Sequence, residues 1–283
     1  MRVPLVCASL LLVAVALGQT APQATTANKP TPDKAWSILD AALKDKSADK
    51  RAKAVHALGL MTKDAKAIKL AQAALSDPQA VVRTSAASAL GKLHAKSALP
   101  SLRQALEDKE TDVVFAAADA LTEMDDPAAY QLYYGVLTGQ RKSGHGLLVD
   151  QAKTLKDRKH LAQMGFERGL GAVPFGGWGY TAFQAIHQDD VSPVRAEAAE
   201  ALASDPDPRS GEALVTAAHD KSWIVRASAL NAISKRADAK LAPRIADLLA
   251  DSKDAVQYAA AATFIRLSAL SGRKSAASVQ KGQ

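Results

Sequence analysis

The side chains that could do chemistry in this chain are six histidines, one cysteine and a few paired acids. Zinc or general-base chemistry needs histidines spaced to share a helix face, as in H-E-x-x-H. His56, His94, His145, His160, His187 and His219 show no such spacing and read as surface or capping residues. A thiol nucleophile would have to be Cys7, which lies in the extreme N-terminal segment, and one cysteine makes neither a disulfide framework nor a metal site. There is no G-x-S-x-G, and Gly171, Gly176, Gly177 and Gly179 are not followed by the Lys-Ser/Thr of a phosphate loop. The pairs Asp125–Asp126 and Asp189–Asp190 fall in turns and read as helix caps. No residue is assigned to catalysis, to a cofactor or to a metal, so the expectation is a protein that binds rather than an enzyme.

Acids and arginines do recur, at a fixed interval. Taking Asp45, Asp77, Asp108, Asp189, Asp220 and Asp251 as origins aligns six segments, with spacings of 32, 31, 81, 31 and 31 residues. Five positions on stand Lys50, Val82, Val113, Val194, Val225 and Val256. Next come Arg51, Arg83, Val114, Arg195, Arg226 and Gln257. Position nine is alanine in all six (Ala54, Ala86, Ala117, Ala198, Ala229, Ala260), and position twelve is alanine except at Thr263. Position thirteen is Leu58, Leu90, Leu121, Leu202, Ile233 or Phe264. Positions five, nine, twelve and thirteen share one stripe of a helix, too narrow and small-sided to bury itself without neighbours. A second short helix precedes each Asp, so each unit is a helix hairpin with the Asp in its turn, able to accept amides at the next helix start. The ladder Asp45, Arg51, Asp77, Arg83, Asp189, Arg195, Asp220, Arg226 is read as structural, each Arg reaching an Asp of a neighbouring unit.

The pattern D-x-x-x-x-V-R-x-x-A-x-x-A-L at a period near 31 resembles HEAT repeats, in particular the short type of phycobilin lyase subunits. The first unit departs from it at Lys50, and the third and sixth lack the Arg. The resemblance implies an all-α solenoid of stacked helix hairpins, with repeats over 35–126 and 181–270. It also implies that the second helices line a concave face. Positions eight, eleven and fifteen should point outward there, and Asp119, Glu123, Glu197 and Glu200 make the middle of that face acidic in sequence order, with basic or neutral ends. A nucleic-acid groove needs continuous Lys/Arg, which four carboxylates interrupt.

Residues 127–180 break the period. A basic stretch from Arg141 to Arg168 carries seven cations against three acids, and 165–180 (GFERGLGAVPFGGWGY) combines six glycines with Phe166, Phe175, Trp178 and Tyr180. This insertion reads either as a structural splice with its aromatics packed, or as an element that touches a protein partner or a membrane surface.

The remaining features concern targeting and composition. Residues 1–18 combine Arg2, an apolar run to Leu17, and small residues Ala16 and Gly18, the pattern of a cleaved signal peptide. The expected destination is the periplasm or the exterior. Residues 19–34 read as a disordered leader and 271–283 as a disordered tail. Alanine dominates the 48% apolar content, aromatics are only 5%, and the net charge of +7 selects no partner class. The function expected is an exported scaffold that holds another protein through its concave face, the insertion, or both. Two alternatives stand beside it: a lyase- or chaperone-like accessory enzyme, and a peripheral membrane protein using 165–180.

Overall fold

The computed structural model describes residues 30–137 and 192–281, and among these every regular element is a helix. Helix α1 (Pro32–Ala42) pairs with α2 (Ala48–Leu58), α3 (Ala65–Ala74) with α4 (Ala80–Lys92), and α5 (Leu99–Ala105) with α6 (Thr111–Glu123). α7 (Pro127–Leu137) follows. From residue 192 onward come α8 (Ser192–Ala201), α9 (Pro208–Ala217), α10 (Trp223–Arg236), a 3-10 helix (Ala239–Ala250) that contains Pro243, and α11 (Asp254–Lys281). This is an all-α solenoid of helix hairpins.

Caps fix where the helices begin. Thr31, Ser47, Asp64, Asp207 and Asp238 each accept a backbone N–H in the first turn that follows. Where no side chain caps the helix, the repeat Asp does the work two residues earlier. Asp77 accepts from the Gln79 amide at 2.9 Å and Asp108 from the Glu110 amide at 2.9 Å, closing the turn into α4 and α6.

The second helices stack in a row, α6 on α4 on α2, and α8 on α10 on α11. Small residues set the spacing. Val82, Val113, Val225 and Val256, and the alanines at position nine in five of the six units, are buried. A further small residue, unnoticed in the repeat pattern, stands at position fourteen of the first two units. A Cβ at Gly59 would lie 3.2 Å from Ala89 Cα, and one at Gly91 would lie 3.0 Å from Ala120 Cα. Glycine there lets the next unit's position-twelve alanine pack against bare backbone.

Four expectations need correction. The array does not end at its last unit: α11 packs on both α1 and α2. Its positions eight and eleven, Ala259 and Ala262, were expected to face outward, yet they are 1% and 0% exposed because the first unit covers them. In space the units therefore run third, second, first, sixth, fifth, fourth. Second, residues 271–281, expected as part of a disordered tail, continue α11. Third, 127–137 is not outside the stack: α7 packs on α6 and buries Ala129 and Leu132. In the fourth unit the inward stripe is also displaced, since Ala196, Ala199 and Ala203 are buried while Ala198 and Ala201 are exposed.

Candidate functional site

The Asp/Arg ladder holds consecutive units together. Arg51 reaches across to Asp77 with a two-pronged bond (Nε–Oδ2 2.8 Å, Nη2–Oδ1 2.9 Å). Arg83 grips Asp108 at 2.8 and 2.9 Å, and Arg226 grips Asp251 at 2.8 and 3.0 Å. Arg195 pairs with Asp220. In each full rung the remaining nitrogen donates to the carbonyl of the arginine's own repeat Asp, as Arg83 Nη1 does to Asp77 at 2.9 Å. One guanidinium thus ties its own turn to the next, in the fork geometry suited to a carboxylate. The Arg51 hydrogen bond holds the Asp77 carboxyl below the ordinary carboxylate range. At Asp108, burial works in the opposite direction and is outweighed by Arg83 and the Glu110 amide. In the third unit, where Val114 replaces the Arg, Arg103 of α5 binds Asp126 at 2.5 Å instead, and Asp126 in turn caps α7. Gln257 of the sixth unit donates to Leu249 O within its own hairpin. The Asp189 rung and the aromatic candidates Phe166, Phe175, Trp178 and Tyr180 lie outside the described residues.

The surface candidates lie on the second helices. Asp119, Glu123 and Glu197 are exposed, and Glu200 is half-buried. Closure of the array inverts their placement. The third and fourth units, which carry these acids, are the two ends of the spatial row. The middle carries the basic side chains Lys53, His56, Lys92, Arg266 and Lys235. Glu200 is held by Asn231 and by Lys235 Nζ at 2.7 Å. Glu123 lies against Gly91, where its Oε2 would be 2.8 Å from an added Cβ, and burial raises its pKa against the pull of Lys92 and His94.

Lys92, from the second unit, feels Glu123, Lys235 and Glu200, although the first and sixth units lie between its own unit and the fifth. The row curves enough to bring these charges within reach of one another. Lys92 is in contact with solvent, yet the groups around it exclude enough water to push its ammonium down to about 8. Sequence reading missed Lys92, His56, Lys235 and Arg266 as a group because only closure brings them together. The available signal was the pair of alanines, Ala259 and Ala262, at supposedly solvated positions of a terminal unit, where a polar outer face is needed if the end is open.

Other polar groupings are satisfied internally. The open depression lined by Ser204, Asp205, Lys235 and Arg236 has Asp205 bound by Ser210 and Arg236 donating to the Asp205 and Asp207 carbonyls. His219 contacts the Val215 carbonyl and Asp247, each at 2.9 Å. Among the described residues no His, Cys, Asp and Glu group could hold a metal, and no helix is long and apolar enough to cross a membrane.

No curated protein matches the chain closely enough to count as a relative. Among solved structures it is similar to the complex of CpcE and CpcF of phycocyanin lyase from Nostoc sp. PCC7120, at 24% identity and a TM-score of 0.35, covering 88% of this chain and 97% of that one. It is also similar to human deoxyhypusine hydroxylase in complex with glycerol, at 19% identity and a TM-score of 0.27, covering 82% and 84%. The HEAT-repeat family matches over 35–122, 69–137 and 181–264. These segments span more than half of the sequence, and the chain belongs to the HEAT-repeat family.

Proposed function

We propose that this protein is an exported, non-catalytic scaffold that holds another protein in the crevice lined by its second helices. The observation that carries the reading is the arrangement of charge on the second helices. Charged side chains sit at outward positions of a laddered stack, with basic residues at the centre and Asp119, Glu123 and Glu197 at its two ends. A stiff surface of alternating charge favours a charge-matched protein segment, because little ordering entropy is lost on binding. A nucleic acid would meet carboxylates at both ends.

The test is site-specific photo-cross-linking in the native cell. A cross-linker at Asp119 or at Glu197 should capture one and the same protein. A cross-linker at Lys69, exposed on a first helix, should not capture it. Capture from Lys69 alone, or only from positions within 165–180, would overturn the placement of the binding surface.

A further inference from the structure

Where the first unit meets α10 and α11, one carbonyl ties the joint, and basic side chains of α2, α4, α10 and α11 stand on the helices around it. Leu60 O, just past the end of α2, accepts from Ser234 Oγ at 2.8 Å and from Arg266 Nη1 at 3.0 Å. The same Arg266 nitrogen reaches the Thr62 hydroxyl. His56 lies one turn before Leu60, and its Nε2 is 3.5 Å from Lys92 Nζ. Lys235 directly follows Ser234. Of the nearby acids, Glu200 binds Asn231 and Lys235, and Glu123, lying over Gly91, acts on Lys92.

Arg266 differs from the ladder arginines. Arg51, Arg83, Arg195 and Arg226 each bind an Asp of the next unit. Arg266 is half-buried, its partners Leu60 O and Thr62 Oγ1 are neutral, and among the described residues no carboxylate pairs with it. A guanidinium taken partly out of water without a counter-charge is costly unless an anion joins it. Lys92 Nζ lies 3.5 Å from the His56 ring, and Glu123 and Glu200 also act on its charge.

We propose that Arg266, Lys92 and His56, with Lys235 shared between Glu200 and the ligand, form a binding site for a multiply charged oxyanion, carboxylate or phosphate, presented by the protein segment held there. This rests on reading the crevice as a binding surface, and it adds what is recognised there. The acids at both ends of the row repel a uniformly acidic chain, so the ligand group is a short acidic cluster rather than a polyanion.

Citrate and pyrophosphate serve as probes for the two chemistries. Melting of the protein is followed in each, against sodium chloride at matched ionic strength. The expected result is a saturable rise of about 2–4 °C beyond the chloride control. A rise with citrate alone points to carboxylates, and with pyrophosphate alone to phosphate. Lys92→Gln and Lys235→Gln, both exposed positions whose loss leaves the stack intact, should abolish the rise. Binding should also weaken ~tenfold from pH 7 to pH 9 as Lys92 gives up its proton. Lys92 is the titrating group because the groups facing it are His56 of α2, Glu123 of α6, His94 of its own turn, Glu200 of α8 and Lys235 of α10. No rise beyond chloride with either probe, or an equal rise in both variants, overturns the site. Cross-linking from Asp119 and Glu197 is scored separately: if it persists while both probes fail, the anion site falls and the scaffold reading stands.

Discussion

Units that follow one another in sequence are joined differently from the two units that meet where the array closes. A sequential joint carries an Arg–Asp rung and an alanine seam, and in the first two units a glycine that admits the neighbour's backbone. The closing joint has no rung. Gln257 stands where an arginine would reach for Asp45, and the contact rests on the alanines of α11, on Tyr258 beside Asp45 and Asp49, and on Ser234 and Arg266 bonding Leu60 O. A repeated motif encodes a repeated joint. A joint that occurs once is made by the residues that break the motif.

The largest effect expected from this contrast follows removal of a rung. Arg83→Ala strands Asp108, whose side chain is 15% exposed, and should cost about 3 kcal/mol in urea denaturation. Arg266→Ala leaves neutral partners behind, with Ser234 still bonded to Leu60 O, and should cost only about 1 kcal/mol. A reversed order would mean that closure, not the ladder, dominates stability. Ala262→Leu comes next, at about 1–3 kcal/mol of overpacking. In an open array position eleven of the last unit faces water and accepts leucine freely, whereas here Ala262 is 0% exposed. Ala117→Leu and Ala229→Leu, both 0% exposed in sequential seams, set the scale for that loss. Tolerance at Ala262 with losses at the other two would place α11 away from the first unit.

The hairpins, their turns and the inward stripe were legible because each is local and occurs many times. Val82, Ala86, Ala89 and Leu90 share a helix face by spacing alone, and the caps follow from the Asp and Ser types at helix starts. The partner of each ladder arginine was legible as a neighbour, since a repeated charge at a repeated position needs a repeated mate. Closure was not. It joins Leu60 to Ser234 and Arg266, 174 and 206 residues apart, and no period connects them. The order of the surface charges was lost with it, because Asp119 and Glu197 are central in sequence and terminal in space. Gln257 and Thr263 depart from the repeat pattern, and both have partners in the fold: Gln257 donates to Leu249 O within its hairpin, and Thr263 donates to Leu230 O at 3.2 Å.

Titration separates the two joints on opposite sides of neutrality, at no more than about 1.4 kcal/mol per pH unit for each group. Asp77 and Asp108 are held below 3.8 in the folded state, so their contribution is complete above that pH and is lost as pH falls through the depressed values. Arg51→Ala and Arg83→Ala should flatten this acid limb. Tyr258 behaves in the opposite sense. Burial, with Asp254, Asp45 and Asp49 adding, pushes its hydroxyl from 10 up to about 12. The stability tied to its neutral form is full below pH 10 and drains as pH rises through 12. Tyr258→Phe should remove that alkaline loss and leave the acid limb unchanged, which equilibrium denaturation across pH would read directly.

The smallest effect tests the frame that aims the crevice. Helix α10 ends at Ala237 in the left-handed region, φ 56° and ψ 30°, where its amide closes on Ile233 O and Ser234 O. An L side chain is strained in that conformation, and glycine is not. Ala237→Gly should therefore stabilise the protein by about 1 kcal/mol, since the relief in the folded state exceeds the added freedom of the unfolded chain. The cap lies two residues from Lys235 and three from Ser234, so the substitution also probes whether the crevice depends on this turn. A gain in stability with the citrate or pyrophosphate response unchanged means that the body of α10 sets the site. A gain accompanied by a weaker response means that the strained cap itself holds Ser234 and Lys235 against the first unit, so that the closing joint uses local backbone strain where the sequential joints use a salt bridge.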